Sequence, residues 1–264
     1  MNQISNLAFV HPEAKIGDNV MIDPFVYIDR DVVVGNDCHI YPHVSIRNGA
    51  RIGNGNKIHE GAIISASPQD FRWDGKDTLC IIGDNNTIRE QVIINRSITK
   101  EGATRIGDNN YILAQSHVGH DSEISDKCVI GNGVKIAGSC HIGHCTVLSS
   151  GVIVHEKCDI GQWCMIKGGT RVNNNVPPYI IMAHNPISYF GVNSFIMGKN
   201  GFSEDDIDDV AKCYRHLYQA NTSVFNALKR MQLDVQKSHV RDEIIKFIEN
   251  HNLKLAAVKR EFME

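Results

Sequence analysis

The fold of this chain is decided by residues 106–172, which read IGDNNYILAQSHVGHDSEISDKCVIGNGVKIAGSCHIGHCTVLSSGVIVHEKCDIGQWCMIKGGTRV. Every sixth residue of this stretch, beginning with its first, is Ile, Val or Leu. The same period runs through residues 10–64 and, more briefly, through 82–94, so that all 25 sampled positions are aliphatic. A period of six matches neither an amphipathic helix nor a simple alternating strand, and chance does not produce it.

A six-residue period predicts a solenoid of short strands joined by turns. Three hexapeptides form one triangular coil, in which each sampled aliphatic points inward and stacked coils share an apolar core. Gly, Asn and Asp recur after the aliphatic and tolerate the left-handed backbone of tight turns. Hexapeptide solenoids of this kind resemble the left-handed parallel β-helix, and the handedness is implied by that resemblance, because the period alone does not define it.

The period is interrupted twice, near residues 65–81 and near 95–105. We expect both interruptions to be inserted loops on the outside of the solenoid. Loops held on a rigid scaffold commonly carry binding and catalytic residues. The two insertions are therefore candidate parts of a binding site.

The C-terminal part of the chain is predicted to be helical. The period ends at residues 176–179, after which we expect a short irregular link. From Ser203 onward, apolar residues recur at helical spacing and indicate three helices, and Ser203 with Asp206 resembles a capping box. The chain is thus predicted to be mainly β, with a left-handed parallel β-helix over 1–186 and a C-terminal α-helical domain over 187–264.

The composition excludes several classes of function. Charged residues make up 22% and the formal net charge is -3, so the composition does not suggest nucleic-acid binding, which normally needs a concentrated basic face. No run approaches the roughly 20 apolar residues that a membrane span needs. The N-terminus lacks the basic segment and apolar stretch of a signal peptide. We therefore expect a cytoplasmic protein without a membrane span.

The chain has eight cysteines, and none of them forms a C-x-x-C pair. Because no export signal is evident, disulfides are not expected. Five cysteines lie four residues after a sampled aliphatic, at a second inward position that suits small side chains. These are Cys38, Cys128, Cys140, Cys158 and Cys164. We expect buried thiols with a structural role rather than metal ligands or redox centres.

The motif HVGHD at residues 117–121 is the first candidate for chemistry. Its Val points inward, so the flanking histidines face outward, and exposed turn histidines are the simplest interpretation of such a pair. His120 differs because Asp121 follows it, and a carboxylate beside an imidazole can fix the tautomer and raise the basicity, as a general base requires. A second pair, His141 and His144, belongs to a different face, so the four histidines are not combined into one metal site.

Stacking extends this candidate site along one edge of the solenoid. Residues one full coil apart lie on the same face, so Gly138 and Ser139 follow His120 after one coil, and His155 and Glu156 follow after the next. With coils spaced about 4.8 Å apart, these residues form a polar column roughly 10 Å long. The column extends the polar surface beside the candidate base.

Further short motifs are distributed over the chain. They are Gln69-Asp70-Phe71-Arg72, Ile88-Arg89-Glu90 with Asn95-Arg96, the HVGHD motif, Val176-Pro177-Pro178-Tyr179-Ile180, Phe190-Gly191-Val192-Asn193 and Gly201-Phe202-Ser203. In this order and spacing they resemble the UDP-N-acetylglucosamine acyltransferase family of lipid A biosynthesis. The resemblance covers essentially the whole chain.

The resemblance implies a homotrimeric enzyme with active sites in clefts between neighbouring β-helices. Such an enzyme moves an (R)-3-hydroxyacyl chain from acyl carrier protein to the 3-hydroxyl of UDP-N-acetylglucosamine, the first step of lipid A biosynthesis. Neither a metal nor a cofactor is implied. A sugar hydroxyl is a poor nucleophile at neutral pH and needs a base within hydrogen-bond reach, which agrees with the interpretation of His120.

Matching positions imply roles for individual residues. The general base matches His120, with Asp121 as its orienting group, and the oxyanion donor matches the main-chain N–H of Gly138. Gly168 matches the position that closes the acyl groove, and the absence of a side chain there leaves room for a long hydroxyacyl chain. The other substrate-binding positions are Gln69, Asp70, Arg72, His117, Ser139, His155, Glu156 and Lys199.

Several residues depart from the family's usual pattern. Ser139 and Asn95 stand where the family usually has His, Glu156 replaces Gln, and Arg72 replaces Lys. A tract that typically holds two arginines is reduced to Gly-Lys-Asn at residues 198–200, and the loss of guanidinium groups weakens phosphate recognition. The sequence leaves open whether these changes alter the acceptor or abolish activity. It defines neither the acyl length nor the choice between acyl carrier protein and acyl-CoA.

Three alternatives remain at this point. A paralogous acyltransferase would use a different sugar nucleotide or acyl donor. A catalytically silent binding protein would share only the β-helix. A zinc enzyme of the γ-carbonic-anhydrase type also has this fold and uses interfacial histidines, but it is shorter and lacks both the inserted loop and the helical domain.

Overall fold

The computed structural model describes residues 1–257, and the last part of the predicted helical domain, 258–264, lies outside them. The described residues contain 28 strands, most of them very short. The first fourteen strands are β1 (Gln3–Ile4), β2 (Phe9–Val10), β3 (Lys15–Ile16), β4 (Met21–Ile22), β5 (Tyr27–Ile28), β6 (Val33–Val34), β7 (His39–Ile40), β8 (Ser45–Ile46), β9 (Ala50–Ile52), β10 (Lys57–Ile58), β11 (Ile63–Ala66), β12 (Leu79–Ile82), β13 (Thr87–Ile88) and β14 (Ile93–Asn95). The others are β15 (Ala103–Ile106), β16 (Tyr111–Ile112), β17 (His117–Val118), β18 (Glu123–Ile124), β19 (Val129–Ile130), β20 (Lys135–Ile136), β21 (His141–Ile142), β22 (Val147–Leu148), β23 (Ile153–Val154), β24 (Asp159–Ile160), β25 (Met165–Ile166), β26 (Arg171–Val172), β27 (Ile180–Ala183) and β28 (Ser188–Val192).

The strands up to β26 stack into three parallel sheets, because each strand pairs with the strand three places further along the chain. Sheet 1 starts at β1 and has 11 strands, the last two of which are β27 and β28, sheet 2 starts at β2 and has nine, and sheet 3 starts at β3 and has eight. Paired residues in a regular coil are separated by three hexapeptides, as are Gln3 and Met21. The chain forms a left-handed parallel β-helix with C-terminal helices, and the predicted fold class is confirmed.

The core of the β-helix consists of the aliphatic residues at every sixth position. All of them are buried except Val10 and Ile16 in the first coils, which are partly buried. The predicted small inward positions are also confirmed, since the five cysteines named above are buried free thiols. Burial raises the pKa of these thiols, for Cys164 to about 12, which keeps them protonated and unreactive.

The two insertions lengthen individual coils. Lys57 pairs with Thr87, five hexapeptides further along the chain, and Thr87 pairs with Tyr111, four hexapeptides further, instead of the regular three. The first insertion therefore adds two hexapeptide lengths and the second adds one. The flanking strands extend into the interruptions, and the loops between them are residues 67–78, the first insertion, and 96–102, the second insertion. Both loops connect sheet 2 to sheet 3, and the HVGHD motif lies at the same corner.

The solenoid ends in a hairpin. Strand β27 continues sheet 1 beside β25, and β28 pairs with β27 in antiparallel orientation. The prediction of an irregular link after residues 176–179 is therefore wrong. The hexapeptide period ends before the two prolines, so it could not indicate the strand that follows them. The predicted boundary after residue 186 falls between the two strands of this hairpin, the second of which ends at Val192.

A small helical part follows the hairpin. Its segments are α1 (Ser194–Lys199), α2 (Glu204–Tyr214), a π-helical turn (Arg215–Gln219), α3 (Val224–Asp234) and α4 (His239–Asn250). The predicted capping box is confirmed, with Ser203 as the N-cap of α2 and Asp206 as its partner. After α4, Nε2 of His251 lies 2.6 Å from Oδ2 of Asp159 and ties the helices to the β-helix. No helix in the described part of the chain combines the length and the apolar character that a membrane span requires.

Candidate active site

A cleft of about 340 Å³ opens at the corner between sheet 2 and sheet 3, where both insertions leave the solenoid. Its floor is the outer face of sheet 2, and residues of the first insertion form part of its wall. The cleft brings together both histidines of the HVGHD motif and part of the predicted polar column. The predicted site residues that line it are Gln69, Asp70, His117, His120, Gly138 and Glu156.

His120 lies at the corner after β17, and only 7% of its surface is exposed. Its Nδ1 atom is 2.8 Å from Oδ2 of Asp121. Because a carboxylate can only accept, the neutral ring carries its proton on Nδ1. Nε2 lies 3.3 Å from Oδ2 of Asp70 in the first insertion. The ring thus points out of the apolar core, as predicted, but the first insertion covers it, and Nε2 is the nitrogen left to take a proton.

Asp121 is held as a carboxylate by the second insertion. Its Oδ1 accepts hydrogen bonds from the hydroxyls of Ser97 and Thr99, and its Oδ2 accepts one from the N–H of Ile98 besides that from His120. Burial alone would raise the pKa of Asp121, but these donors outweigh it, and the pKa lies below its ordinary value of 3.8. An ionised carboxylate in a fixed position orients His120 and stabilises its imidazolium form.

Gly138 stacks on His120 from the next coil. A Cβ atom at Gly138 would lie 2.5 Å from both Cε1 and Nε2 of the His120 ring. Its φ is not in the left-handed region, so the position needs glycine for space and not for its backbone conformation. Within residues 1–257, the main-chain N–H of Gly138 donates no hydrogen bond. A free donor therefore lies beside the candidate base, as an oxyanion hole requires.

His117 occupies the outer face of β17 and shares the cleft. Its Nε2 lies 2.7 Å from Oδ1 of Asn95, whose Nδ2 donates to the carbonyl of Ser67 at 2.8 Å. This chain of contacts makes Nε2 the donor and Nδ1 an acceptor. Burial and then the charges of Lys135 and His120 lower the pKa of His117 below 6.5, so the ring is neutral at pH 7. Asn95, one of the departures from the family pattern, thus orients a histidine of the cleft.

The first insertion is tied to the polar column by ion pairs. Arg72 donates to the two oxygens of Asp70 at 2.9 and 2.6 Å, and its Nη2 also donates to Oε1 of Glu156 at 3.0 Å. The Arg72 guanidinium holds the pKa of Asp70 well below its usual range and lowers that of Glu156. Two further departures from the family pattern, Arg72 and Glu156, therefore contact each other, and Arg72 holds Asp70 beside His120.

Some residues of the cleft were not predicted as site residues, among them Lys135 and Ile153. Both lie on the outer face of sheet 2, one and two coils after His117. Both residues can be found from the sequence by moving one and two coils along the chain from His117. The same step from His120 leads only to the corner residues Gly138 and Glu156. Nζ of Lys135 donates to the carbonyl of Gln115 at 2.6 Å, which places a cation on the floor of the cleft.

Besides Arg72, which contacts the cleft residues Asp70 and Glu156 but does not line the cleft itself, four predicted substrate-binding residues do not line it. Ser139 and His155 lie on the same corner as His120, where the N–H of Ser139 donates to the His120 carbonyl at 2.8 Å. Gly168 lies at another corner, between sheets 1 and 2, and Lys199 ends the short helix α1. Within one copy of the chain, the structure does not bring these four residues into the cleft.

One group of potential metal ligands is found among the described residues, away from the cleft. It consists of His59, Glu60 and Glu90. The guanidinium of Arg89 pairs with Glu90 at 2.7 Å, so a cation already faces that carboxylate. The group therefore gives no support to a metal centre at the candidate active site.

A second cleft, of about 370 Å³, lies between α4 and the corner that joins sheet 3 to sheet 1. His141 and His144 are among its lining residues, which confirms that this pair belongs to a different face from HVGHD. None of the described residues that line the second cleft also lines the cleft at His120. The two clefts are thus separate features of the surface.

Family models match three parts of the chain. Residues 175–256 match the model described as Udp N-acetylglucosamine O-acyltransferase, domain 2. Residues 103–138 match the bacterial transferase hexapeptide model, with six repeats, and residues 4–101 match the GMPPB C-terminal domain. The repeats and the C-terminal part are therefore matched separately, in the order that the structure shows.

Two curated relatives and a solved structure are similar to the chain over nearly its whole length. The acyl-(acyl-carrier-protein)–UDP-N-acetylglucosamine O-acyltransferase of Halorhodospira halophila is 33% identical, over 95% of this chain and 97% of the relative. The protein of the same name from Myxococcus xanthus is 31% identical, over 94% and 97%. The crystal structure of a UDP-N-acetylglucosamine acyltransferase from Bacteroides fragilis is 42% identical, over 98% of this chain and 100% of that chain, with a TM-score of 0.93.

Proposed function

Because the chain belongs to the UDP-N-acetylglucosamine O-acyltransferase family, we propose that the cleft at His120 is its active site. The chain is an enzyme of lipid A biosynthesis that transfers an acyl chain from acyl carrier protein to an oxygen of UDP-N-acetylglucosamine. In our proposal the acyl chain is an (R)-3-hydroxyacyl group and the acceptor is the 3-hydroxyl of the sugar. One observation carries the assignment of the site: the buried His120 directs Nε2 to the cleft while an ionised Asp121 holds Nδ1.

His120 acts as the general base. Its Nε2 takes the proton of the sugar 3-hydroxyl while the sugar oxygen attacks the carbonyl carbon of the thioester. The carbonyl oxygen becomes an oxyanion and accepts a hydrogen bond from the N–H of Gly138, a contact worth about 3 kcal/mol. When the intermediate collapses, the C–S bond breaks and the imidazolium gives its proton to the departing thiolate. The neutral His120 is restored, and the sugar oxygen carries the acyl chain.

The first insertion and the floor of the cleft supply the substrate contacts. Asp70 presents a carboxylate beside Nε2 of His120 and can accept a hydrogen bond from a second sugar hydroxyl, while Nδ1 of His117 offers another acceptor. Gln69, Arg72 and Glu156 are further proposed substrate contacts. The reaction in this proposal uses neither a metal nor a cofactor, because the base, its carboxylate and the N–H donor supply the proton transfer and the charge stabilisation.

We also propose that the chain works as a homotrimer in the cytoplasm. The outer face of sheet 2 carries an apolar surface that a second copy would cover. It includes Phe9, Tyr27, Ile63, Ile93 and Ile153. Phe9 is 50% exposed and stacks on Tyr27 at 5.2 Å between ring centres. A neighbouring copy would also provide a second wall for the cleft and supply the proposed substrate contacts that one copy leaves apart, Ser139, His155, Gly168 and Lys199.

The test is an acyl-transfer assay with the purified protein, UDP-N-acetylglucosamine and a panel of (R)-3-hydroxyacyl carrier proteins. We expect a product acylated on the sugar 3-oxygen, identified by mass spectrometry and NMR, with UDP-glucose as the comparison acceptor and acyl-CoA as the comparison donor. Turnover only with another sugar nucleotide or only with acyl-CoA would indicate a paralogous activity. The absence of turnover with every pair would indicate a binding protein.

A further inference from the structure

The second insertion surrounds Asp121 without entering the cleft. Of the described residues that line the cleft at His120, none belongs to residues 96–102. Ser97 is fully buried, and its hydroxyl contacts Oδ1 of Asp121. The N–H of Ile98 donates to Oδ2 at 3.2 Å, and the hydroxyl of Thr99 donates to Oδ1 at 3.2 Å. The insertion therefore forms an enclosure for one carboxylate, which consists of Ser97, Ile98, Thr99 and Gly102.

The hydroxyl proton of Ser97 has one strong acceptor, the carboxylate of Asp121. Its Oγ accepts the N–H of Thr99 at 2.9 Å, and the carbonyl of Thr99, the hydroxyl of Thr99 and the carboxylate of Asp121 compete for its single proton. An ionised carboxylate is the strongest acceptor of the three. Ser97 thus donates to Oδ1 of Asp121, while Oδ2 receives the Nδ1–H of His120.

Gly102 shows that the enclosure has no spare room. A Cβ atom at this position would lie 2.0 Å from Oγ1 of Thr99, 2.8 Å from Oγ of Ser97 and 3.1 Å from Oδ1 of Asp121. Its φ is not in the left-handed region, so its backbone does not require glycine. Glycine is required because a side chain would enter the space that the two hydroxyls and the carboxylate occupy.

The enclosure is anchored by contacts that do not involve Asp121. The N–H of Ser97 donates to the carbonyl of Leu79 in β12 at 3.1 Å. The neighbouring Arg96 is buried, donates to the carbonyl of Asn48 at 3.0 Å, and lies 5.2 Å from the ring centre of Trp73 in the first insertion. Ser97 is therefore held in place by the strands and by the first insertion, and it can impose a position on the carboxylate.

We propose that Ser97 is a positioning residue for acyl transfer, which holds the Asp121 carboxylate in the orientation that receives Nδ1–H of His120 and so presents Nε2 to the acceptor hydroxyl. The inference rests on the proposed function of His120 as the base. Ser97 touches neither the sugar nor the acyl chain in this arrangement. Its loss therefore slows proton transfer and leaves the binding of the sugar nucleotide unchanged.

Ser97→Ala is expected to lower kcat by about 10- to 100-fold, the range for residues that orient a reacting group, with an unchanged KM for UDP-N-acetylglucosamine. Ser97→Cys adds no methyl group but has a weaker donor, so its kcat is expected to lie between those of the wild type and Ser97→Ala. Thr146→Val removes another fully buried hydroxyl, which donates to the carbonyl of Gly161 at 2.8 Å away from the cleft. This control is expected to keep the kcat of the wild type.

A double-mutant cycle with Asp121→Ala separates positioning from folding. In the Asp121→Ala background, Ser97→Ala is expected to change kcat by less than about twofold, because no carboxylate is left to orient. An equal loss in both backgrounds overturns the proposal. A folded Ser97→Ala protein with the kcat of the wild type overturns it as well.

A readout that needs no turnover distinguishes this inference from the proposed function. The ¹⁵N NMR signals of His120 are expected to show the Nδ1–H tautomer in the wild type and a mixture of tautomers in Ser97→Ala. If the wild type transfers no acyl chain but Ser97→Ala still changes the tautomer, the proposed function fails and the positioning role stands. If the wild type is active and Ser97→Ala leaves the tautomer unchanged, the positioning role fails alone.

Discussion

The Nε2 atom of His120 lies 3.3 Å from Oδ2 of Asp70, a residue of the first insertion. A carboxylate from a loop thus stands on the side of the imidazole that the acceptor hydroxyl must reach. Arg72 holds Asp70 in that place through both carboxylate oxygens. Two parts of the chain therefore define the surroundings of the candidate base, the corner of the β-helix and the loop beside it. Each part can be tested by substitution.

His120→Ala should lower turnover by about 10²- to 10⁴-fold, the usual share of general base catalysis. The free energy of unfolding should change little, because the ring lies outside the apolar core. His141→Ala removes a histidine from a different face and is the matched control, which should keep the activity of the wild type. Steady-state kinetics with UDP-N-acetylglucosamine make the comparison, and turnover of His120→Ala within a few-fold of the wild type would show that another group is the base.

Gly138→Ala should impair catalysis without unfolding the protein. The added Cβ would lie 2.5 Å from the His120 ring, and the contact is with a side chain that can move aside, not with the backbone. The displaced ring would no longer present Nε2 correctly, so kcat should fall by at least about tenfold, as for a lost orienting contact. Thermal unfolding should show a midpoint near that of the wild type, and a variant with full kcat would contradict the stacking described here.

The buried neutral His117 should make stability depend on pH. Burial and the charges of Lys135 and His120 lower its pKa below 6.5, so the folded protein binds a proton less readily than the unfolded chain. The contribution is therefore fully present above pH 6.5 and is lost as the pH falls through the folded pKa. In urea titrations, the free energy of unfolding of the wild type should fall relative to that of His117→Asn across this window.

Lys135→Met tests the electrostatic part of the same shift. The NMR titration midpoint of His117 should rise in this variant but stay below 6.5, because burial is the larger cause of the lowered pKa. A midpoint at or above 6.5 in the wild type would contradict the lowered pKa of His117.

The acyl chain should be long, because Gly168 has no side chain to close the acyl groove that the family resemblance implies at this position. Each buried methylene contributes roughly 0.8 kcal/mol, so four carbons separate a long donor from a short one by about 3 kcal/mol, or more than a hundredfold in kcat/KM. Gly168→Met should fill the groove and shift the preference to shorter donors. A panel of hydroxyacyl carrier proteins measures this, and an unchanged length profile would place the determinant elsewhere.

The proposed trimer predicts different effects for substitutions on two faces of one coil. Ile93→Asp puts a charge on the apolar outer face of sheet 2 and should weaken both assembly and turnover. Thr87→Asp puts the same charge on sheet 1 and should leave both unchanged. Sedimentation at micromolar concentration should show a trimer for the wild type, and a stable monomer would contradict the proposal.

The fold could be predicted from the spacing of one residue class, since every inward position of a β-helix must be apolar. The spacing also predicted that five cysteines are buried, because they lie at a second inward position that repeats with the coil. It could not predict the hairpin of β27 and β28, whose antiparallel pairing has no hexapeptide period. What repeats along the chain is visible in the sequence, and what occurs once is not.

The candidate site shows the same division. His120, Gly138 and Glu156 could be placed on one edge because they follow one another at intervals of one coil. The contact of Ser97 with Asp121, and that of Asp70 with His120, depend on the paths of two loops that contain no repeat. Residue types on such loops do not indicate where the side chains point, so these contacts required the three-dimensional structure.

The lengths that the two insertions add, two hexapeptides and one, are whole multiples of the repeat. The inward aliphatic positions therefore keep the same register in the coils before and after each loop. An in-frame deletion of either loop would remove Asp70 or Ser97 and keep the spacing of the aliphatic residues on either side. The loop residues that orient the base are in this sense separable from the apolar core, because a change of loop length by whole hexapeptides leaves the inward positions of the coils where they are.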